Sequence, residues 1–238
     1  IFAYFCANMG RRIPQEKKFI TDVEIIDIAE EGKGVAKHDN LVLFIERAVP
    51  GDVVDVELIR KKKNFAEGKI SDVKKASEYR IDPFCSHFGV CGGCKWQHMT
   101  YESQLKFKEQ YVGNALSRIG KVDVAGMEPI LGSAQTEYYR NKLEYTFSNK
   151  RWLTSLDEVE PGDSMDALGF HVPGRFDKIL TIDHCYLQQE PSNDIRNSIF
   201  EFAKENFFSF YDLRDHEGSL RNLIIRTSST GELMVIVV

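Results

Sequence analysis

The sequence predicts a mainly β protein with some α-helix, in which a small β-barrel precedes an α+β domain that carries a metal site. Three observations predict it: short alternating strands before residue 80, three cysteines within ten residues soon after it, and helix and strand patterns in succession beyond residue 100. The predicted parts are an N-terminal extension over residues 1–18, a barrel over 19–80 and a central domain over 81–238.

The barrel is predicted from short runs that have the two-residue period of half-buried strands. Residues 19–29 and 53–59 alternate apolar and polar side chains, and residues 41–45 are β-branched, aromatic or leucine. Turn residues, such as Pro50-Gly51-Asp52, separate the runs. Several short strands within about 60 residues are typical of a small closed barrel of the oligonucleotide-binding (OB) type.

Beyond residue 80 the pattern mixes helices and strands. Thr100 is a candidate N-cap for a helix that stops at Gly120, and Pro191 opens a second helix. Strand patterns occupy five further stretches, the last two as a hairpin: 138–147, 168–172, 179–183, 223–226 and 233–238. Because the sequence stops inside the last apolar strand, we expect a cut chain from which a further domain is missing.

Composition and charge exclude several classes of protein. Hydrophobic residues make up 42% and charged residues 28%, which is ordinary for a folded globular chain. No stretch approaches the roughly 18 apolar residues of a membrane span, and no charged segment precedes the apolar start as in a secretory signal. We therefore predict a cytoplasmic, monomeric protein with no membrane partner. The net charge is −5, but residues 1–155 carry a small basic excess, so any basic surface is local.

The cysteines are the strongest sign of chemistry. Cys85, Cys91 and Cys94 lie within ten residues, and Gly92-Gly93 lets the backbone turn tightly between the last two. The total of five cysteines is odd and no secretory signal accompanies them, so a metal site is favoured over disulfides. Three close thiolates and one remote thiolate suit an iron–sulfur cluster, and Cys185 is the candidate fourth ligand.

Zinc is the competing metal on the spacing alone. Structural zinc sites take four cysteines or three cysteines and a histidine, and three histidines lie near enough in sequence to serve. These are His87, His98 and His184. Zinc ligands usually come in pairs two to four residues apart, so the five-residue gap before Cys91 is less typical. Unliganded thiols are the third reading, and Cys6 has no partner in either metal scheme.

The motif Cys85-x5-Cys91-Gly-Gly-Cys94, followed by Trp96-Gln97-His98 and by Tyr139-Arg140-Asn141-Lys142, resembles the iron–sulfur RNA (uracil-5-)-methyltransferases. The large-subunit ribosomal RNA enzymes are the most similar members. Gly51-Asp52-Val53-Val54 and Phe65-Ala66-Glu67-Gly68 resemble signatures of the TRAM domain, and the resemblance covers residues 19–238.

The resemblance implies a TRAM barrel, a central domain with a [4Fe-4S] cluster on Cys85, Cys91, Cys94 and Cys185, and a C-terminal Rossmann-like domain that binds S-adenosylmethionine. It implies that the full-length enzyme forms a thioether to C6 of a flipped uridine and then methylates C5. This chain has no Gly-rich loop for the methyl donor and no spare C-terminal cysteine. We therefore expect the Rossmann-like domain to be absent, the chain alone to be inactive, and no catalytic or donor-binding residue to lie in it.

Two groups of residues are predicted to bind RNA. Arg60, Lys61, Lys62 and Lys63, with Phe65 and Lys69, combine cations with an exposed aromatic ring at a barrel turn, a combination that suits single-stranded RNA. A solvated hairpin tip is the alternative reading, and it is favoured for Lys74 and Lys75. The resemblance implies that the strand with Arg140 and Lys142 also faces RNA; an ordinary polar sheet face is the alternative.

The predicted function is therefore the RNA-positioning part of an S-adenosylmethionine-dependent methyltransferase that acts on uridine C5 of large-subunit ribosomal RNA. Two alternatives stay open. Transfer RNA uridine is the second substrate class, and a stand-alone RNA-binding module with a structural metal is the second class of protein.

Overall fold

A computed structural model describes residues 17–155, 160 and 162–238. The chain forms two compact units, one that extends to Glu78 and one from Tyr79 to Val238. Each unit has a β-sheet of its own. Most of the predicted N-terminal extension, and with it Cys6, lies outside the described residues.

The sheet of the first unit closes into a barrel. Its strands are β1 Lys18–Glu24, β2 Asp27–Ile28, β3 Gly34–His38, β4 Leu41–Glu46, β5 Val53–Lys61 and β6 Phe65–Lys75, in the order β1-β5-β6-β4-β3-β2. β1 and β2 stand at opposite ends of this order but are nearly continuous in the chain. One bent stretch therefore pairs with β5 at its start and with β3 at its end, which closes the sheet. The interior is apolar, with Val23, Ile25, Ala36, Leu43, Ile45, Ala48, Val54, Val56 and Ala66.

The predicted turn before β5 is a structured corner. Gly51 has a φ of +93°, a left-handed conformation that glycine adopts without strain. The side chain of Asp52 is buried and accepts the backbone N–H groups of Val49 at 2.8 Å and Ser77 at 2.9 Å. The carboxylate thus joins the start of β5 to the chain just beyond β6.

The second unit is built on a five-stranded antiparallel sheet with two helices. Its elements are α1 Tyr101–Asn114, β7 Lys142–Ser148, β8 Ala167–Val172, β9 Arg175–Thr181, α2 Ser192–Glu205, β10 Asn222–Thr227 and β11 Leu233–Val237. The strand order is β11-β10-β7-β8-β9. The hairpin predicted near the end of the sequence is present, since all five residues of β11 pair in register with β10. No helix among the described residues is long and apolar enough to span a membrane.

The first helix differs from the prediction at its end. Thr100 is its N-cap, as predicted, and accepts the backbone N–H of Ser103 at 3.3 Å. The α-helix ends at Asn114, and Ala115–Ile119 continue as a π-helical turn. Only Ser103 and Phe107 of α1 are buried, and the apolar side chains of Val112, Leu116 and Ile119 toward its end are exposed.

Candidate metal centre and nucleic-acid interface

Cys85, Cys91, Cys94 and Cys185 line one cavity in the second unit. Its empty volume is about 380 Å³, with the open solvent at its mouth included. Cys185 is buried and the other three thiols are partly buried. Residues separated by about ninety positions in the chain are thus brought together, and the cavity contains the four thiols predicted as a ligand set.

The loop with the first three cysteines is held by its own backbone. The carbonyl oxygen of His87 accepts the N–H of Cys91 at 2.9 Å, and the N–H of Gly93 donates to the sulfur of Cys91 at 3.3 Å. The ring of His87 also approaches Asp183, with 2.7 Å between Nε2 and the carboxylate. This last contact links the loop to the segment that carries Cys185.

Cys185 is positioned by two buried polar side chains of α2. The backbone N–H of Cys185 donates to Oδ1 of Asn193 at 2.8 Å, and Nδ2 of Asn193 donates to the Cys185 carbonyl at 3.3 Å. Arg196 donates to the same Oδ1 at 2.8 Å and to the carbonyl of Asp183 at 2.7 Å. The fourth thiol therefore stands on a segment fixed by hydrogen bonds on both sides.

Electrostatics disfavour four free thiolates in this cavity. Burial raises the pKa of Cys91 to about 11, and the nearby Cys94, Cys185 and Cys85 contribute in the same direction. Burial also raises the pKa of Cys94 and of Cys185. The positive charge of Arg140 partly opposes this rise at both thiols. A metal that binds thiolates would remove this cost, because the bound sulfurs then share a positive centre.

The donor set consists of four soft thiol ligands. Among the described residues, no group of three or more His, Cys, Asp or Glu side chains is arranged to hold a metal ion as it stands. A lone zinc needs four sulfurs at about 2.3 Å from one point. A [4Fe-4S] cluster instead binds one thiolate at each iron, so its ligand sulfurs lie farther apart. Four cysteines around one cavity are the number and kind of ligands that either centre takes.

Of the three histidines considered as zinc ligands, His87 and His184 line the cysteine cavity, and Nδ1 of His87 lies 4.0 Å from the sulfur of Cys85. His98 is buried with its ring centroid 5.3 Å from that of Phe88. The ring of His184 packs edge-on against that of Tyr186, with 4.5 Å between the ring centroids, and its Nε2 lies 3.2 Å from the hydroxyl of Tyr138. His184, Tyr186 and Phe88 line the cysteine cavity and form much of its aromatic wall.

The basic residues of the barrel divide into paired and unpaired groups. Arg60 lies 3.8 Å from the carboxylate of Glu67, and Lys69 lies 3.4 Å from that of Glu57. For Lys61, Lys62 and Lys63, at the end of β5 and in the turn that follows, no ion pair exists within the described part of the chain. These three side chains are exposed, so their ammonium groups are available to phosphate.

The aromatic ring beside them is less available than the sequence suggested. Phe65 was expected to be exposed, but it is partly buried and packs edge-on against Phe44 with 5.9 Å between ring centroids. Its position at the first residue of β6 places it against the parallel strand β4, which local sequence does not show. Base stacking on Phe65 would use only its open side.

The two central-domain candidates lie in different surroundings. Arg140 precedes β7 and acts electrostatically on the thiols of Cys94 and Cys185. Lys142 opens β7 and pairs in register with Arg226 of β10, and both are exposed. Sequence analysis missed Arg226, because only the register of the two strands brings it beside Lys142.

Comparison with known proteins relates the chain to RNA methyltransferases. Residues 20–71 match the TRAM domain. The chain is 55% identical over 214 residues to an RNA methyltransferase of Bacteroides thetaiotaomicron, covering 89% of this chain and 47% of that protein. It is 37% identical to an RNA methyltransferase of Chlorobaculum tepidum, covering 95% of this chain and 48% of that protein. The chain thus spans about half the length of the curated relatives it matches.

A solved structure is also similar. It is the tRNA (uracil-54, C5)-methyltransferase of Pyrococcus abyssi in complex with S-adenosyl-L-homocysteine, with a TM-score of 0.63 and 25% identity. The match covers 90% of this chain and 45% of that one.

These matches correct the predicted fold class. The described residues are mainly β, with two sheets and two α-helices, as expected. The expectation that the Rossmann-like methyltransferase domain is absent was wrong, since the matches to RNA methyltransferases, which cover about 90% of this chain and about half of theirs, do not support it. The expectation rested in part on the uncapped apolar end of the sequence. β11 is the edge strand of the sheet, where it pairs with β10 along its whole length and leaves its apolar side chains exposed. The expectation that the chain alone is inactive is likewise not supported by these matches.

Proposed function

Because the chain is homologous to RNA methyltransferases over about half of their length and carries a TRAM domain, we propose that this protein methylates C5 of uridine in RNA. S-adenosylmethionine is the proposed methyl donor. The homology is the observation that carries the proposal: identity reaches 55% over 214 residues with an RNA methyltransferase. The solved uracil-C5 enzyme that the chain resembles supplies the proposed position of the methyl group.

The proposed role of the barrel is to hold the RNA backbone. Lys61, Lys62 and Lys63 are exposed at one hairpin without ion pairs within the described residues, which supports phosphate contacts there. Arg60 and Lys69 contribute less to RNA binding, because each must break an ion pair with a glutamate before it can bind a phosphate. On the second unit, Lys142, Arg226 and Arg140 are the proposed contacts.

The proposed cofactor of the second unit is a [4Fe-4S] cluster bound by Cys85, Cys91, Cys94 and Cys185. The four thiols that line one cavity support it. When bound, the cluster supplies four iron–thiolate bonds that cross-link the cysteine loop to the segment after β9. The residues of the chain orient these ligands and exclude water from them.

Large-subunit ribosomal RNA is the proposed substrate, on the resemblance of the cysteine motif. Transfer RNA is the second candidate, favoured by the similar tRNA (uracil-54, C5)-methyltransferase. The test incubates the full-length, iron-loaded protein with S-adenosylmethionine labelled on the methyl group and with unmodified ribosomal or transfer RNA.

Nuclease digestion and mass spectrometry then locate 5-methyluridine. We expect labelled 5-methyluridine in ribosomal RNA. Label in transfer RNA alone would instead make transfer RNA the substrate. No 5-methyluridine in either RNA would contradict the proposed activity. A variant with Lys61, Lys62 and Lys63 changed to glutamine should show a lower kcat/KM, whereas Lys74→Gln should not, because Lys74 is held by Asp55 and Asp72 at 3.1 and 2.8 Å.

A further inference from the structure

Arg196 is a buried cation without an anionic partner. It is the largest fully buried side chain of the described residues, with 1% of its surface exposed. Its two terminal nitrogens donate only to neutral oxygens: Oδ1 of Asn193 at 2.8 Å, the Tyr145 hydroxyl at 3.4 Å, the Asp183 carbonyl at 2.7 Å and Oδ1 of Asn197 at 3.0 Å. Within the described part of the chain it forms no ion pair, and its Nε is buried with no hydrogen-bond acceptor.

Such an arrangement is costly as it stands. A charge removed from water must be compensated by an opposite charge, by hydrogen bonds or by an aromatic face. The Tyr145 ring, whose centroid lies 5.1 Å from the guanidinium carbon of Arg196, supplies part of that compensation. The acidic side chains near Arg196 compensate poorly, because that of Asp183 is 80% exposed and that of Glu190 is 47% exposed. Glu190 also reaches Arg196 only through Asn193, to which it is hydrogen-bonded. A neutral side chain would be the expected occupant of this position unless an anion lies nearby.

The cysteine cavity supplies that anion. The oxygen of Asn193 that accepts from Arg196 also accepts the backbone N–H of Cys185, so one atom separates the guanidinium from the backbone of the fourth ligand. A metal centre bound by four thiolates carries net negative charge on this side of the cavity. Arg196 and the centre are therefore complementary charges in a region of low dielectric.

We propose that Arg196 is the buried counter-charge of the metal–thiolate centre and positions its fourth ligand through Asn193. The proposal rests on the proposed cluster site and adds a residue that does not itself touch the metal. A purely structural role is the competing explanation, in which Arg196 serves only to bind the Asp183 carbonyl and Asn193.

The test measures the midpoint potential of the anaerobically purified, iron-loaded full-length protein, together with its iron and sulfide content. Arg196→Gln keeps amide donors for the neighbouring oxygens but removes the charge, and Arg196→Lys keeps the charge. Arg214→Gln is the matched control, since Arg214 pairs with Asp177 elsewhere in the same unit. A counter-charge favours the reduced, more negative cluster, because it stabilises added negative charge.

For Arg196→Gln we expect the ratio of reduced to oxidised cluster at a fixed potential to fall roughly tenfold. This corresponds to a midpoint potential lower by about 59 mV for a one-electron couple. Arg196→Lys and Arg214→Gln should keep the wild-type potential. If Arg196→Gln does not fold, Arg196→Lys provides the test. A wild-type potential with full iron in Arg196→Lys supports the proposal, and a tenfold fall in its ratio of reduced to oxidised cluster overturns it. Wild-type iron and potential in Arg196→Gln would overturn the counter-charge role and leave the cluster intact. A wild-type protein without iron and sulfide would instead overturn the cluster and with it this inference.

Discussion

Replacing Lys61, Lys62 and Lys63 together by glutamine should weaken RNA binding and flatten its dependence on salt. These three lysines are exposed at one hairpin of the barrel and form no ion pair within the described residues. Each can therefore displace a counterion from RNA without first losing an internal partner. For single strands the slope of log affinity against log salt changes by about 0.7 per phosphate contact, so three lost contacts should reduce it by about 2.

The same relation gives the loss of affinity. At roughly 0.1 M salt a slope change of about 2 corresponds to about a hundredfold weaker binding. The assay is fluorescence anisotropy with a labelled single-stranded RNA, titrated at several salt concentrations between about 50 and 200 mM. Lys74→Gln is the matched control, because Lys74 already pairs with Asp55 and Asp72. A triple variant that keeps the wild-type circular dichroism spectrum and the wild-type salt slope would refute the reasoning.

Three further predictions concern stability. Asn193→Ala leaves the buried N–H of Cys185 without its acceptor, so the free energy of unfolding in urea should fall by about 1–3 kcal/mol and iron should be lost faster. Gly68→Ala adds a Cβ only 2.4 Å from a methyl group of β5, and overpacking should lower the free energy of unfolding by about 1–3 kcal/mol. The hydrogen bond from Lys150 holds the pKa of Asp212 well below its usual range, so the carboxylate stabilises the fold above its unfolded pKa of about 3.9. The advantage of wild type over Asp212→Asn should therefore shrink as the pH falls below about 4.

Each stability prediction has an outcome that would contradict it. Unchanged iron loss in Asn193→Ala would remove its role in holding Cys185. Gly126→Ala is the control for Gly68→Ala, since no atom lies within 4 Å of a Cβ built there. Equal melting temperatures of the two variants would show that β5 and β6 are not closely packed at Gly68. A stability gap for Asp212→Asn that widens in acid would contradict the direction of its pKa.

Local patterns predicted the elements whose signals are local. Thr100 caps α1 because a threonine hydroxyl just before a helix can accept one of its first free N–H groups, here that of Ser103. The hairpin of β10 and β11 follows from two apolar runs around Ser228-Ser229-Thr230-Gly231. Chemistry alone also selected the four cysteines that line one cavity, since soft ligands of one type are seldom grouped without a metal.

Features that depend on distant parts of the chain could not be predicted in this way. β6 was missed because Gly68 and the polar residues around it interrupt the strand pattern, while the close approach of β5 requires that glycine. The pairing of Arg60 with Glu67 and the packing of Phe65 on Phe44 depend on strand register. Asn193 and Arg196 are different, because they are polar residues on the buried side of α2. Polar residues within the apolar face of a helix are a pattern that the sequence itself contains.

Metal analysis of the anaerobically purified protein tests the central claim most directly, namely that Cys85, Cys91, Cys94 and Cys185 form one site. Iron, acid-labile sulfide and zinc are measured per protein together with the visible absorption spectrum. We expect about four irons and four sulfides, with a broad band near roughly 400 nm that Cys185→Ala abolishes. Stoichiometric zinc without iron, or a cluster unaffected by Cys185→Ala, would contradict the site described here.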